Sequence, residues 1–293
     1  MTQKVLVRVD GRELSLSNLD KVLYPDAAFT KAEVIDYYSR IAPVLLPHLK
    51  GRPLTVKRFP NGVNGGFFFE KNAPAHTPGW IPTVNLPAPG STKNRETIDF
   101  PIVNDLPSLV YYANLAALEL HLPMWRVTED GEPLAPDTLV FDLDPGAPAT
   151  IVDCCRVAVL LRDALKEDGH ESFPKTSGNK GMQLYVPWDQ GPGTSDYAKA
   201  LAQRLEAGNP HVTSVMAKRA RPGKVFIDWS QNNPYKTTVA PYSLRANRIP
   251  TASTPLLWDE VEDCRSPDEL VFTAPDVLAR VEEHGDLFMP ARA

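Results

Sequence analysis

Hydrophobic residues recur along this chain at two spacings, every second position in some stretches and every third or fourth in others, and the two kinds of stretch are interleaved from end to end. Period two paves one face of a strand and period 3.6 one stripe of a helix, so the chain is confined to the α/β or α+β class. Strand patterns lie at Lys4 to Val9 and Arg12 to Leu16, around an Asp10-Gly11 hairpin signal. They return at Leu54 to Phe59, Phe67 to Glu70, Thr97 to Val103, Thr138 to Leu143, near Ser172, and at Met182 to Val186, Lys224 to Trp229 and Tyr242 to Arg245. Helix patterns fill the intervals. Thr30 and Glu33 make a capping box ahead of Val34, Ile35, Tyr38, Ile41, Ala42 and Leu45, with Pro47 as the stop. After Pro107, residues Leu109, Val110, Ala113, Ala116, Ala117 and Leu120 fall at helical spacing. Thr150 caps a further helix that reaches Gly169, and Thr194 to Ala207 forms one that ends before Gly208. The Pro-rich run from Pro74 to Pro89 reads as an ordered surface loop, and the polar link Thr128 to Pro136 divides the chain into approximate parts 1–130 and 131–293.

A net charge of −5, from 31 basic and 36 acidic residues, argues at first against a nucleic-acid partner. The acid is local, however. Leu256 to Met289 carries ten acidic and two basic residues and Arg292 follows, which leaves a net of +2 on residues 1–255. Basic residues cluster there at Arg52, Lys57 and Arg58 and at Lys218, Arg219, Arg221 and Lys224, while the acidic tail reads as a solvated face. Cys154, Cys155 and Cys264 offer neither an even disulfide framework nor metal-ligand spacing, which fits a reduced, cytoplasmic protein. Met1 to Val9 lacks a signal-peptide core and no run approaches a membrane span, so no membrane partner is expected.

Phe141-Asp142-Leu143-Asp144-Pro145 sets two carboxylates at i and i+2 on a strand, on one side, about 7 Å apart at the usual rise of about 3.3 Å per residue. Phe141 and Leu143 point the other way, into a core. Bare carboxylates on one face repel, and a hard divalent ion with oxygen ligands relieves that cost; the bland alternative is an Asp-Pro strand exit with solvated side chains. A third acid, Asp228, sits in the core-forming strand of Lys224 to Trp229. A lone charge there needs a basic partner or a metal. Three strand-borne acids are what a two-metal nucleotidyl transferase requires.

Lys175-Thr176-Ser177-Gly178-Asn179-Lys180-Gly181 joins two strand patterns. It lacks the Walker ending, yet its small residues can turn backbone N–H groups toward an anion, with Ser177 and Lys180 adding donors. Read alone, it is a hairpin turn with a solvated lysine. Ser177 to Lys180 also matches the Ser-x-x-Lys element of penicillin-interacting acyl-enzymes, but the partner motifs are missing and Lys236-Thr237-Thr238 comes nearest. Phe67-Phe68-Phe69 cannot all face one core, so at least one ring is expected at the surface, where beside Lys57, Arg58 and Lys71 it suits stacking on a base. His121, taken by itself, reads as a satisfied buried histidine.

In chain order, Asn18 to Pro25, Gly51-Arg52-Pro53, Lys57 to Gly62, Phe68 to Lys71, Leu118 to His121, Phe141 to Pro145, Thr176 to Gly181, Phe226 to Asn232 and Ala240 to Arg245 resemble the archaeo-eukaryotic primase superfamily. The likeness is specifically to the polymerase domain of bacterial DNA ligase D and its stand-alone relatives. The resemblance implies a primase-polymerase core of two packed α/β subdomains with mixed, largely antiparallel sheets. It implies that Asp142, Asp144 and Asp228 are catalytic and bind metal, two Mn2+ or Mg2+ ions per site, and that Lys57, His121, Ser177, Lys180, Gln231 and Arg245 surround an incoming NTP or dNTP. Phe68 and Phe69 match aromatics placed against the template, with Arg58 and Lys71 beside them. Asn18, Lys21 and Lys31 match a pocket for the 5′ phosphate of downstream DNA, and Arg221 a base near the active site. Gln183 stands where the family usually has histidine, so its contact to nucleotide phosphate is expected to be weaker. Arg8-Val9-Asp10-Gly11 is not a ligase nucleophile motif, so sealing is expected from a separate ATP-dependent DNA ligase, with Ku as a further partner. The implied activity is template-dependent extension or filling of short gaps at DNA ends in non-homologous end joining. Gap filling in excision repair and a non-catalytic DNA-end-binding module are the alternatives.

Overall fold

The computed structural model describes residues 4–89 and 95–288. Met289 and Arg292, counted with the acidic tail, lie outside them. The class is mixed α/β with antiparallel sheets, as expected. Five strands form one sheet in the spatial order Phe173–Thr176, Met182–Pro187, Thr138–Pro145, Val225–Asp228, Val212–Thr213, antiparallel except for the last pair. Leu139, Phe141, Leu143, Val225 and Ile227 leave one face of this sheet and pack with Cys154, Ala158 and Leu161 of helix Ile151–Glu167 and with Leu201 of helix Thr194–Gly208. Strand alternation therefore sends Asp142, Asp144 and Asp228 to the opposite face.

A second sheet has the order Thr238–Val239, Ala117–Leu122, Thr55–Arg58, Phe68–Glu70, antiparallel throughout. Its core is shared with helices Lys31–Leu49 and Leu106–Asn114. The chain re-enters this core late: Thr238–Val239 is its edge strand, and Ala240, Tyr242, Leu244 and Ala252 are buried in it. Two tyrosines tie the return in place, Tyr37 donating to the Tyr242 carbonyl at 2.6 Å and Tyr38 accepting from the Leu244 amide at 3.1 Å while donating to the Leu118 carbonyl of the sheet at 2.7 Å. Among the described residues no helix is long and apolar enough to cross a membrane.

Five expectations need correction. The helix opened by the Thr30 box runs through both Pro43 and Pro47 to Leu49, because Tyr38, Ile41, Leu45 and Leu49 are packed to completion on its buried stripe. The helix after Pro107 stops at Asn114, since Ala116 takes a left-handed φ of 57°, and Ala117–Leu122 is a strand instead. Tyr242 to Arg245 forms only a single bridge, Leu244 to Ala252. The Pro-rich run contains strand Thr83–Pro87, paired with Thr97–Pro101. The acidic tail is no mere solvated face: Glu260 pairs with Arg280, and Asp286 accepts from His48 at 2.8 Å and from Tyr242 at 2.5 Å.

Candidate active site

Asp142 lies in the middle strand of the five-stranded sheet, directly opposite Asp228 on one neighbour and Gln183 on the other. Asp144 follows on the same face, opposite Phe226. Burial, and after it the charge of Asp144, pushes Asp142 up to about 7. Asp144 is raised as well, by burial and by Asp228. Asp228 is held by its own turn: Oδ1 accepts from the Ser230 amide at 3.0 Å and hydroxyl at 2.5 Å, and Oδ2 from Gln231 at 2.8 Å. Among the described residues no three metal-ligating side chains are already gathered on one point. The donor set still fits a hard cation, because it is all carboxylate oxygen, half-buried at Asp142 and Asp144 and buried at Asp228, and under mutual repulsion that a positive ion removes.

Gln183 faces this edge and donates to Asp142 Oδ1 at 3.1 Å. Its contact in the protein is therefore to a carboxylate. Behind it, the fully buried Lys175 donates to Gln183 Oε1 at 2.6 Å.

The opposing sheet supplies cations. Strand Ala117–Leu122 places Glu119 beside Lys57 and sends His121 to the same face. Glu119 then collects three bases: His121 Nε2 at 3.0 Å, Lys57 Nζ at 3.5 Å and Arg245 Nε at 3.6 Å. Burial opposes its charge, but the His121 hydrogen bond and the surrounding bases prevail and hold it at about 2. Burial lowers His121 despite Glu119, favouring the neutral ring. The Ser177 to Gly181 turn reaches this cluster from the first sheet. Its Gly178 packs so closely that a Cβ would stand 2.6 Å from Arg245 Cγ. Ser177 Oγ accepts from the Asn179 and Gly181 amides at 3.3 and 3.2 Å, and Lys180 is exposed. The turn thus links the two groups, Gly178 lying against Arg245 of the basic cluster and Gly181 against Leu143, between Asp142 and Asp144.

Phe67, Phe68 and Phe69 are 54%, 44% and 56% exposed, so all three rings reach the surface, where at least one was expected. Lys57 lies 4.1 Å from the Phe67 ring and Arg58 5.2 Å from that of Phe68. Arg58 is largely engaged, with Glu70 at 3.0 Å and the Leu115 carbonyl at 2.9 Å. Phe68, Phe69 and Lys71 border a groove of about 1050 Å³ whose other walls include Arg95, Trp125 and Tyr235. Lys21 and Lys31 form a separate cationic spot, Lys21 donating to Asn61 at 3.1 Å and the buried Lys31 to the Ser17 carbonyl at 2.6 Å. Asn18 sits at the adjoining turn with a φ of 53°. Arg221 stacks 3.7 Å from the ring of Phe226, the register partner of Asp144.

Glu119 and Lys175 escaped the sequence reading. Glu119 was hidden by the helical reading of its strand; as a strand, its i, i+2 relation to His121 would have stood out. Lys175 is a charge within a core strand, the same signal that singled out Asp228.

Carboxylates on adjacent strands of an antiparallel sheet, joined through one turn to a half-buried Lys-His-Arg cluster, fit a nucleotidyltransferase of the primase-polymerase class. The family model described as LigD, primase-polymerase domain, matches residues 30–288, and the chain belongs to that family. It is 44% identical over 282 residues to the multifunctional non-homologous end joining protein LigD of Mycolicibacterium smegmatis, covering 95% of this chain and 36% of that protein. The bifunctional non-homologous end joining protein LigD of Bacillus subtilis is 30% identical over 278 residues, or 93% of this chain and 43% of that one. The chain thus spans well under half the length of these curated relatives. The solved polymerase domain of Mycobacterium tuberculosis ligase D, in complex with DNA, superposes with a TM-score of 0.87 at 42% identity, covering 94% of this chain and 96% of that one.

Proposed function

We propose that this chain extends or fills short gaps at DNA ends that carry a 5′ phosphate, copying a template, as the polymerase module of bacterial non-homologous end joining. The pairing of Asp142 with Asp228 across adjacent strands, with Asp144 on the same face, carries this reading. Asp142, Asp144 and Asp228 would hold the divalent ions, two per site and manganese in preference to magnesium, since a carboxylate set of loose geometry suits manganese. Ions held there would supply the charge that makes a primer 3′ hydroxyl acidic and that holds a triphosphate for in-line displacement.

The chain's own groups do the rest. Gln183 fixes Asp142, and Ser230 and Gln231 fix Asp228. Lys57, His121 and Arg245, assembled by Glu119, face the triphosphate together with Ser177 and Lys180, offsetting charge on the leaving pyrophosphate. Phe68 and Phe69 offer stacking faces to the template, flanked by Arg58 and Lys71. Arg221 adds positive charge beside Asp144, and Asn18, Lys21 and Lys31 receive the 5′ phosphate. Sealing falls to an ATP-dependent ligase activity outside residues 1–293, and Ku is the proposed end-binding partner, in the bacterial cytoplasm at the nucleoid.

A gap-filling assay with labelled primer, NTPs or dNTPs, and Mn2+ or Mg2+ tests the proposal. Extension by wild type, abolished by Asp142→Ala with Asp144→Ala while gapped DNA is still bound, supports it. Wild type that binds gapped DNA but extends nothing shows a DNA-end-binding module instead.

A further inference from the structure

We propose that Lys175 is a positioning residue for Asp142, acting through Gln183: it fixes which way the glutamine amide points, and so turns an N–H rather than a carbonyl toward the metal-holding carboxylate. This rests on the reading of Asp142 as a metal ligand. Lys175 has no exposed surface, and its ammonium meets three oxygens: Gln183 Oε1 at 2.6 Å, Ser253 Oγ at 2.6 Å and the Val239 carbonyl at 3.0 Å.

Each of the three must accept. The Val239 carbonyl has no proton, and Ser253 gives its own to the Thr176 carbonyl at 2.7 Å. An ammonium has three donors and no acceptor, so the third partner is also an acceptor, and Gln183 must present Oε1. Tyr185 donates to that same oxygen at 3.3 Å. With Oε1 held from behind, Nε2 is left to meet Asp142 Oδ1 at 3.1 Å. Burial, and after it Arg245, pull Lys175 well below its ordinary value, and only Asp142 opposes them. Its three partners are nevertheless placed as acceptors, and none offers a proton to the lone pair of a neutral amine, so the geometry is that of an ammonium.

Removing the ammonium frees the amide to flip. A flipped Gln183 would set a carbonyl oxygen against a carboxylate already repelled by Asp144. Because Val239 belongs to the edge of the other sheet and Ser253 to the returning chain, Lys175 also refers the position of Asp142 to the sheet that carries the basic cluster. Among the described residues no other charged side chain is as enclosed.

The test is manganese binding without DNA or nucleotide, read from the electron paramagnetic resonance of free Mn2+, with melting curves for each variant. Lys175→Met and Gln183→Leu should each weaken binding roughly 10- to 100-fold, the range for groups that orient metal ligands. The double variant should bind no worse than either single one, because both act on one hydrogen bond. Wild-type affinity in folded Lys175→Met overturns the proposal, as does a double variant whose loss is the product of the two. If Lys175→Met does not fold, Ser253→Ala carries the test: binding about threefold weaker supports the role and unchanged binding refutes it. Asp142→Ala separates the two layers. Undiminished binding in that variant removes the metal reading itself, while weakened binding there with wild-type affinity in Lys175→Met removes only the positioning role.

Discussion

Glu119 is a buried carboxylate and Asp142 a half-buried one, and their surroundings push them in opposite directions. Glu119 is drawn down to about 2 because burial is outweighed by His121, Arg245 and Lys57. Its contribution to stability is complete above its ordinary value of 4.5 and is lost as pH falls toward 2. Glu119→Ala leaves half-buried bases without their counter-charge and is expected to destabilise by about 3 kcal/mol at pH 7, with the deficit shrinking in acid. Urea titrations across pH would show this; a deficit independent of pH would argue against a charge effect. Asp142 is raised to about 7, so the folded protein without metal binds its proton more tightly than the unfolded chain does. The resulting cost is absent below 3.8, grows as pH rises, and is full above 7. Asp142→Asn should therefore melt later than wild type at pH 8 without divalent ions, by on the order of 1–3 kcal/mol, and match it near pH 4. The same variant should extend no primer. Asp228 was legible because a charge in a core strand demands a partner; Lys175 obeys that rule too, but its strand was located only as beginning near Ser172.

The first hairpin was legible because its polarity alternates about a turn signal, whereas Ala117–Leu122, buried on both faces and preceded by a helix, was not. The hairpin Lys4–Val9 and Arg12–Ser17 turns at Asp10 and Gly11, both with positive φ, as their sequence requires. Ala117–Leu122 could not be read this way. Leu118, Leu120 and Leu122 are buried on one face, but Ala117 and Glu119 are buried on the other, so no alternation survives and the apolar residues fit a helix equally well. Only pairing with Thr55–Arg58, remote in sequence, decides for the strand. Close approach between elements is equally invisible in sequence. A Cβ on Gly181 would stand 2.1 Å from the Leu143 carbonyl oxygen, inside the strand that carries Asp142 and Asp144. Gly181→Ala must push that strand aside, costing about 1–3 kcal/mol and most of the extension activity. Gly208→Ala is the control: it has open space at a helix end and should be neutral to slightly stabilising. Equal melting temperatures and equal extension rates for the two variants would show that the close packing at Gly181 is immaterial.

Over the whole molecule, the net charge of −5 conceals a division of labour. Asp142, Asp144 and Asp228 share one face of the five-stranded sheet, ten further acids lie in the C-terminal segment, and Lys57, His121 and Arg245 gather at the four-stranded sheet, with a separate basic spot formed by Lys21 and Lys31. That spot should make recognition of a 5′ phosphate depend on pH. Burial, reinforced by the charges of Lys21 and then Arg58, brings Lys31 down to about 8. Below that value Lys31 is an ammonium and pairs with phosphate; above it the neutral amine contributes no charge. The preference for gapped duplex with a 5′ phosphate over the same duplex with a 5′ hydroxyl should be full at pH 7 and decline above about 8. The bound phosphate favours the charged form, so the midpoint in the complex lies higher than in the free protein. Lys21→Ala removes one of the charges that lower Lys31 and should move the decline to higher pH, while Lys31→Met should abolish both the preference and its pH dependence. Fluorescence anisotropy with the two duplexes at pH 7 and pH 9.5, at constant ionic strength, measures the ratio. A ratio that stays constant with pH in wild type, or survives in Lys31→Met, would place the 5′ phosphate elsewhere.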